Sequence, residues 1–151
     1  MKIRNITAVQ AILLALFFTG LINIAIFILQ TNGITGMNSN ESEVFFPSSK
    51  IIGLVWSLLI AGLAFSFSKT IKKQKTYAVW IFVLFLFCIF YPVYTFGFSN
   101  LRLMIAGNLM TVTLASFISG LLYSSFKIES FIIFLISLWV MFVTYLMFFI
   151  N

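Results

Sequence analysis

The chain has 151 residues, of which 62% are hydrophobic and only 8% are charged, and its formal net charge is +6. This apolar content exceeds the roughly 45–50% of soluble domains, so most of the surface must face lipid. With no histidine and only three acidic residues, the chain has no material for a His or carboxylate metal cluster, a Ser-His-Asp triad or a catalytic carboxylate pair within one span.

Five apolar runs of about 20 residues, the length that crosses a bilayer as a helix, nearly fill the chain. They cover roughly 6–29, 47–68, 77–96, 103–124 and 131–150. The sequence therefore predicts an all-α integral membrane protein, a five-transmembrane-helix bundle that forms a single domain over 1–151. The first run follows Lys2 and Arg4, but it is longer than a signal-peptide core and no A-x-A pattern follows it. We expect it to remain as an uncleaved helix.

The first connection, Gln30 to Phe46, is the longest, and it contains two glycines, several Asn and Ser, and two glutamates. A long loop in a small protein is a candidate lid over a cavity. A plain flexible connector is an equally good interpretation of this composition.

The second predicted span begins with "FFPSSKIIGLVWSLL", in which Trp56 lies about two turns inside the span, deeper than an interfacial anchor. Helical spacing places Trp56, Ile60, Leu63 and Phe67 on one face, and the fifth span repeats the pattern with Trp139, Val143, Leu146 and Ile150. An aromatic stripe is more often lipid-facing or core filler than a ligand site, so spacing alone leaves the role of both tryptophans open.

Small residues recur every fourth position in two spans, where they would let helices approach closely. Gly53, Ser57 and Ala61 form such a row in the second span, and Ser116 and Gly120 do so in the fourth. Either row is suited to packing within the bundle or to a dimer contact.

The basic residues predict the orientation of the spans. Seven of the nine fall on one side of the five-span arrangement, and only Lys50 and Arg102 fall on the other. By the positive-inside rule the N-terminus is cytoplasmic and the C-terminus lies outside. The cluster "SKTIKKQK" is a short loop between spans, so we interpret it as a topology signal that touches anionic lipid, and we expect no nucleic acid to bind.

Polar residues inside spans usually face other helices or a cavity, and here they are few: Asn23, Cys88, Asn108, Thr111, Thr113, Ser137 and Thr144. None of them is a carboxylate, a histidine or a lysine. This inventory argues against a proton relay and against an ion-coupled transporter.

Three segments, in order, resemble motifs of one family. "FPSSKIIGLVW" resembles the W-x-P-P-x-x-x-x-G-x-V-W entry to the second helix of the TspO/MBR family, the tryptophan-rich sensory proteins and mitochondrial translocator proteins. "LWVMFVTYL" resembles that family's fifth-helix L-W-x-x-F-A-T-x-L-N, and "YPVYTFGFSNLRL" is similar to its W-x-P-x-F-F-G segment closing the third helix. The resemblance covers essentially the whole chain and marks it as a divergent, bacterial-type member.

The chain departs from the family pattern at several polar positions. Cys88 stands at the third-helix Asn, Gly107 at the fourth-helix acidic residue and Met147 at the late Asn, while Tyr91 replaces a nearby Trp. The second residue of the family's Pro-Pro pair is Ser48. No basic residue follows Lys127, so the sterol-recognition pattern of some animal members is missing and no sterol binding is expected.

The resemblance implies a homodimeric bundle in a bacterial cytoplasmic membrane, whose cavity opens toward the first loop. It implies a sensor or transporter for tetrapyrroles, porphyrin or haem-like, or for other hydrophobic ligands, with no covalently bound cofactor and no catalytic or metal residue. The expected ligand-binding residues are Trp56, Trp139, Pro47, Ile60, Tyr94, Phe142, Val143 and Leu146. Alternatives are light-dependent porphyrin degradation and an accessory membrane subunit without a ligand.

Overall fold

The computed structural model describes residues 7–31, 49–94 and 101–149, and these ranges contain five α-helices and no strand. The helices are α1 (Ala8–Thr31), α2 (Ser49–Lys73), α3 (Lys75–Ile89), α4 (Leu101–Leu122) and α5 (Lys127–Phe149). The prediction of an all-α fold is confirmed. Pro47 and residues 32–46 of the predicted lid lie outside the described residues.

Four of the described helices, α1, α2, α4 and α5, are long and apolar enough to cross a membrane. The remaining described helix, α3, is apolar but has only 15 residues. At 1.5 Å per residue that is roughly 22 Å, less than the roughly 30 Å of a hydrocarbon core. A membrane protein is therefore supported by four helices, and the crossing predicted over 77–96 stays a prediction.

The early end of α3 has a local cause at Pro92. Proline has no N–H, so it cannot donate to the carbonyl of Cys88 four residues earlier, and its ring crowds that carbonyl. The N–H of Phe90 still donates to Leu86 O at 3.0 Å, and Tyr94 N–H donates to Phe90 O at 3.3 Å. The described part of the predicted span thus consists of a short helix followed by a helical turn over residues 91–94.

The central helix of the bundle is α2, which packs against α1, α3 and α5, while α4 packs against α3 and α5. A single residue, Gln74, joins α2 to α3, and its N–H donates to Thr70 O at 2.8 Å. Because connections this short return the chain at once, α2 and α3 run in opposite directions. The start of α2 and the end of α3 therefore lie at the same end of the molecule.

The core is made mainly of aliphatic side chains, and large apolar side chains also cover the outside, as lipid exposure requires. The face of α2 that helical spacing grouped lies inward, since Ile60 and Leu63 are buried and Trp56 and Phe67 pack partly buried against the core. Not every polar residue faces inward. Asn23 and Thr113 are exposed, and Asn23 Nδ2 donates to its own helix at Thr19 O, 3.0 Å away.

The small residues of α2 fall on two different surfaces. A Cβ added to Gly53 would meet nothing within 4 Å, and Ser57 is exposed, so this part of the predicted row makes no close contact with the described helices. The close approach of α2 to α5 occurs at Gly62 instead. There an added Cβ would lie 2.7 Å from Ile132 Cγ2.

Candidate functional site

Aromatic and polar side chains from four segments meet at the end of the bundle where α2 begins and α5 ends. We call this group the aromatic–polar cluster; its members are Trp56, Tyr91, Tyr94, Asn108, Thr111 and Thr144. The rings of Trp56 and Tyr91 are 4.5 Å apart and tilted by 50°, and those of Tyr91 and Tyr94 are 5.3 Å apart and nearly perpendicular. These are ordinary aromatic pair geometries that stabilise the contact beyond area burial.

Tyr94 is held against α4 by a glycine and a hydroxyl. A Cβ added to Gly107 would lie 2.5 Å from the Tyr94 ring, so only glycine lets the ring rest on the α4 backbone. One turn later, Thr111 donates its hydroxyl hydrogen to Gly107 O at 2.8 Å. Its oxygen is then free to accept from the Tyr94 hydroxyl at 3.0 Å.

Asn108 is almost fully enclosed, with 1% of its surface exposed. Thr144 donates to Val140 O at 2.7 Å and accepts from Asn108 Nδ2 at 2.9 Å, which fixes the orientation of the amide. The Asn108 amide also lies beside the Tyr91 hydroxyl. Its Oδ1 atom is buried and has no direct hydrogen-bond partner among the described residues.

Trp139 lies about one and a half turns before Thr144 on α5. Its ring is 5.8 Å from that of Phe142, and it packs partly buried against the core. The indole Nε1 is buried, and no acceptor for its hydrogen is found in the described part of the chain. An unpaired buried donor costs about 1–3 kcal/mol, so both this atom and Asn108 Oδ1 call for an explanation.

The other residues predicted for the site occupy different environments. Ile60 and Val143 are buried, Leu146 is half-buried, and Phe142 is 46% exposed on the outside of the chain. The two tryptophans are not paired with each other in the described region, since Trp56 contacts Tyr91 and Trp139 contacts Phe142. Pro47 is not described.

The cluster is suited to binding rather than to acid–base chemistry. Its side chains offer aromatic faces, hydroxyls, one amide and one indole N–H, and it contains no carboxylate, lysine or arginine. Within 7–31, 49–94 and 101–149 no three His, Cys, Asp or Glu side chains come together as a metal site. A ligand here would be held by stacking and by a few hydrogen bonds.

The sequence reasoning did not identify Tyr91, Gly107, Asn108 or Thr144 as parts of one group. Tyr91 and Gly107 stood only as departures from a family pattern, and the two polar residues stood as isolated intramembrane side chains. A usable signal was present in the sequence. Within the first half of α4 lie Gly107, Asn108 and Thr111, and Tyr91 and Tyr94 are three residues apart. Only the fold shows that these pairs face each other.

Comparison with protein-family models, with curated proteins and with solved structures finds no match to this chain.

Proposed function

We propose that the chain binds a flat, largely hydrophobic ligand of the tetrapyrrole class between its helices, at the end of the bundle that carries the aromatic–polar cluster. The ligand would contact Trp56 and Trp139 and act as the signal or cargo of a sensor or transporter. The sequence resemblance to the tryptophan-rich sensory proteins motivates the choice of ligand class.

The observation that carries the proposal is the presence of two unpaired polar atoms in a region of apolar helices. Among the described residues, Trp139 Nε1 finds no acceptor and Asn108 Oδ1 finds no donor. Both lie on helices that are apolar enough to span a membrane, where water is scarce. A ligand that offers one acceptor and one donor would satisfy both atoms.

Porphyrins meet these requirements through their chemistry. They present a broad aromatic face to an indole, carboxyl oxygens that accept hydrogen bonds and, when a propionic acid side chain is protonated, an O–H that donates one. The partly buried Trp56 ring is tilted against Tyr91 rather than stacked on it. This geometry favours a site in which a flat ligand adds to an existing aromatic surface.

The test is a titration of the detergent-solubilised protein with protoporphyrin IX in darkness, followed by illumination in air. Trp56→Leu and Trp139→Leu should each weaken binding by about 0.5–1.5 kcal/mol, because each loses an aromatic face. Trp139→Phe keeps a face and removes only the N–H, so an intermediate loss would assign a hydrogen bond to Nε1.

The matched control is Trp80→Leu, because Trp80 lies near the start of α3, 39% exposed and against Phe117, at the opposite end from the cluster. It should bind porphyrin like the unaltered chain. Light-dependent loss of porphyrin absorbance that requires Trp56 or Trp139 would add a degradative activity. Equal binding by all variants, or none by the native chain, would leave a packing role for the tryptophans and an accessory-subunit function.

We further propose five crossings in a bacterial cytoplasmic membrane, with the N-terminus inside. Four apolar helices and the seven-to-two division of basic residues support this arrangement. A reporter fused after Asn151 should be accessible from outside, and one inserted at Lys73 should be accessible only from the cytoplasm. Both reporters on one side would show that the segment containing α3 does not cross.

A further inference from the structure

An apolar pocket of about 160 Å³ lies between the first three helices, away from the aromatic–polar cluster. We call it the α1–α3 pocket; it is lined by Ala11, Leu14, Ala15, Phe18, Ala64, Phe67, Phe82 and Phe85. Apolar cavities of about 150 Å³ stay dry and take up hydrocarbon. The three alanines leave the space, and phenyl rings and Leu14 form its walls.

The pocket opens toward the bilayer. Leu14, Phe18 and Phe82 line it and are 47%, 51% and 47% exposed, whereas Ala15 at its base is 2% exposed. All three helices present an apolar outer surface around this opening. The natural occupant of such a cleft is a hydrocarbon chain that enters sideways from the membrane.

The basic residue Lys75 lies on the face of α3 that leads into the pocket. On α3 the positions 75, 78, 82 and 85 follow helical spacing, so Lys75 heads the stripe that leads into the pocket. Phe82 lies seven residues further along, roughly 10 Å at 1.5 Å per residue. That separation matches a phosphate at the surface above an acyl chain in the hydrocarbon core. Lys72 is exposed at the same end of α2.

Two neighbouring lysines have other partners and point elsewhere. Lys69 Nζ lies 5.5 Å from the centre of the Phe65 ring, and Lys73 Nζ lies 5.7 Å from that of Phe126, before α5. Neither Phe65 nor Phe126 lines the pocket. Lys69 and Lys73 therefore contact rings outside the pocket, whereas Lys75 heads the α3 stripe that leads into it.

We propose that the α1–α3 pocket is a specific site for one anionic phospholipid, whose acyl chain fills the pocket and whose phosphate contacts Lys75 and Lys72. The negative phosphate compensates the positive charge of the basic loop. The acyl chain supplies van der Waals contacts that an empty pocket would lack. This inference does not depend on the tetrapyrrole proposal, because the two sites share no residue.

The experiment uses the full chain in vesicles of phosphatidylcholine and phosphatidylglycerol, extracted in mild detergent and weighed by native mass spectrometry. One phosphatidylglycerol per chain should stay bound under conditions that remove phosphatidylcholine. Lys75→Gln should weaken its retention about fivefold, the effect of one basic residue at an anionic surface. Lys69→Gln, the matched control, should not. Equal losses in both variants, or equal retention of both lipids, would overturn the site.

The acyl chain is tested separately by filling the pocket. Ala11→Phe places a ring in the space and should abolish selective retention, whereas Val9→Phe, at a position 66% exposed and not lining the pocket, should not. Phosphatidylglycerol with a photoactivatable acyl chain tests the unaltered protein as well. It should label peptides from α1, α2 and α3, and labelling mainly of α4 and α5 would refute the proposal.

Discussion

The pair α4–α5 and the helix α1 show two different ways of joining helices in lipid. Along α4 and α5, polar side chains bond across the seam at three levels. Asn108 bonds Thr144 at 2.9 Å and the Ser116 and Ser137 hydroxyls are 2.8 Å apart. At the third level Ser119 and Ser130 exchange hydrogen bonds with each other's backbone carbonyls, at 3.0 and 2.8 Å.

Helix α1 has polar side chains too, but they stay within the helix. Thr19 donates to Ala15 O at 2.9 Å and Asn23 donates to Thr19 O at 3.0 Å. Among the residues of α1 whose side chains are described, only Ala15 is buried. The hydrogen bonds of its described polar side chains Thr19 and Asn23 thus stay within the helix, and the α1–α3 pocket lies beside it.

The difference follows from what lipid can and cannot drive. Hydrocarbon tails are as apolar as leucine, so apolar surfaces gain little by leaving lipid, and hydrogen bonds between helices average only about 0.6 kcal/mol. Several bonds at fixed levels nevertheless allow only one register between α4 and α5. Apolar contact leaves space between helices, and on the α1 side that space is the α1–α3 pocket.

The largest expected effect comes from breaking the seam at its most buried level. Ser119→Leu removes the paired bonds to Ser130 and forces a larger side chain into a site that is 8% exposed. We expect a loss of about 3 kcal/mol in unfolding free energy, measured by SDS titration in mixed micelles. The same change at exposed Ser57, whose hydroxyl bonds only Gly53 O, is the control and should cost little. Equal unfolding of the two variants would show that the seam does not hold the bundle.

A smaller effect is expected where the helical turn after α3 meets α4. Gly107→Ala puts a methyl group 2.5 Å from the Tyr94 ring and should cost about 1–2 kcal/mol. Gly120→Ala, on the same helix with nothing within 4 Å, should be neutral or stabilise by about 0.5–1 kcal/mol. In a Tyr94→Ala background the Gly107→Ala penalty should vanish. Its persistence there would place the strain in the α4 backbone.

A double-mutant cycle on Asn108→Leu and Thr144→Val measures one bond of the seam. Their coupling should be about 0.6 kcal/mol, since the amide donates directly to the threonine hydroxyl. The comparison pair on α1 is Asn23→Leu with Thr19→Val. There Asn23 bonds the backbone of residue 19, which the second change leaves in place, so the coupling should be near zero. A coupling as large as that of the seam would remove the distinction between the two regions.

The smallest effect on stability concerns the exposed row of α2. Ser57→Leu should leave the unfolding free energy unchanged, because Gly53 and Ser57 face no other described helix. If this face forms the homodimer that the sequence resemblance implies, the same change should shift the protein toward monomer in light-scattering measurements. A native-sized assembly would instead assign the row to lipid.

Much of the secondary structure was available from the sequence, because the bilayer sets the length of each apolar run. The first prediction, 6–29, compares with Ala8–Thr31, and the fourth, 103–124, compares with Leu101–Leu122. For the third, 77–96, the described helix α3 ends at Ile89 and a helical turn follows at Pro92, whose missing N–H apolar composition does not reveal, so that crossing stays a prediction. Helical spacing also grouped Trp56, Ile60 and Leu63 on one face, and the structure shows that this face packs in the core.

The partners of the polar residues were decided only by the tertiary structure. The sequence marks as costly in hydrocarbon the polar residues Asn108, Thr111, Ser137 and Thr144. It marks Asn23 in the same way, yet Asn23 lies exposed. A polar side chain can be satisfied by its own helix or by a neighbour, and periodicity describes only the direction in which it points. Which of the two occurs depends on how closely and in what register a second helix approaches. That information resides in the contacts between helices and not in the local sequence of either.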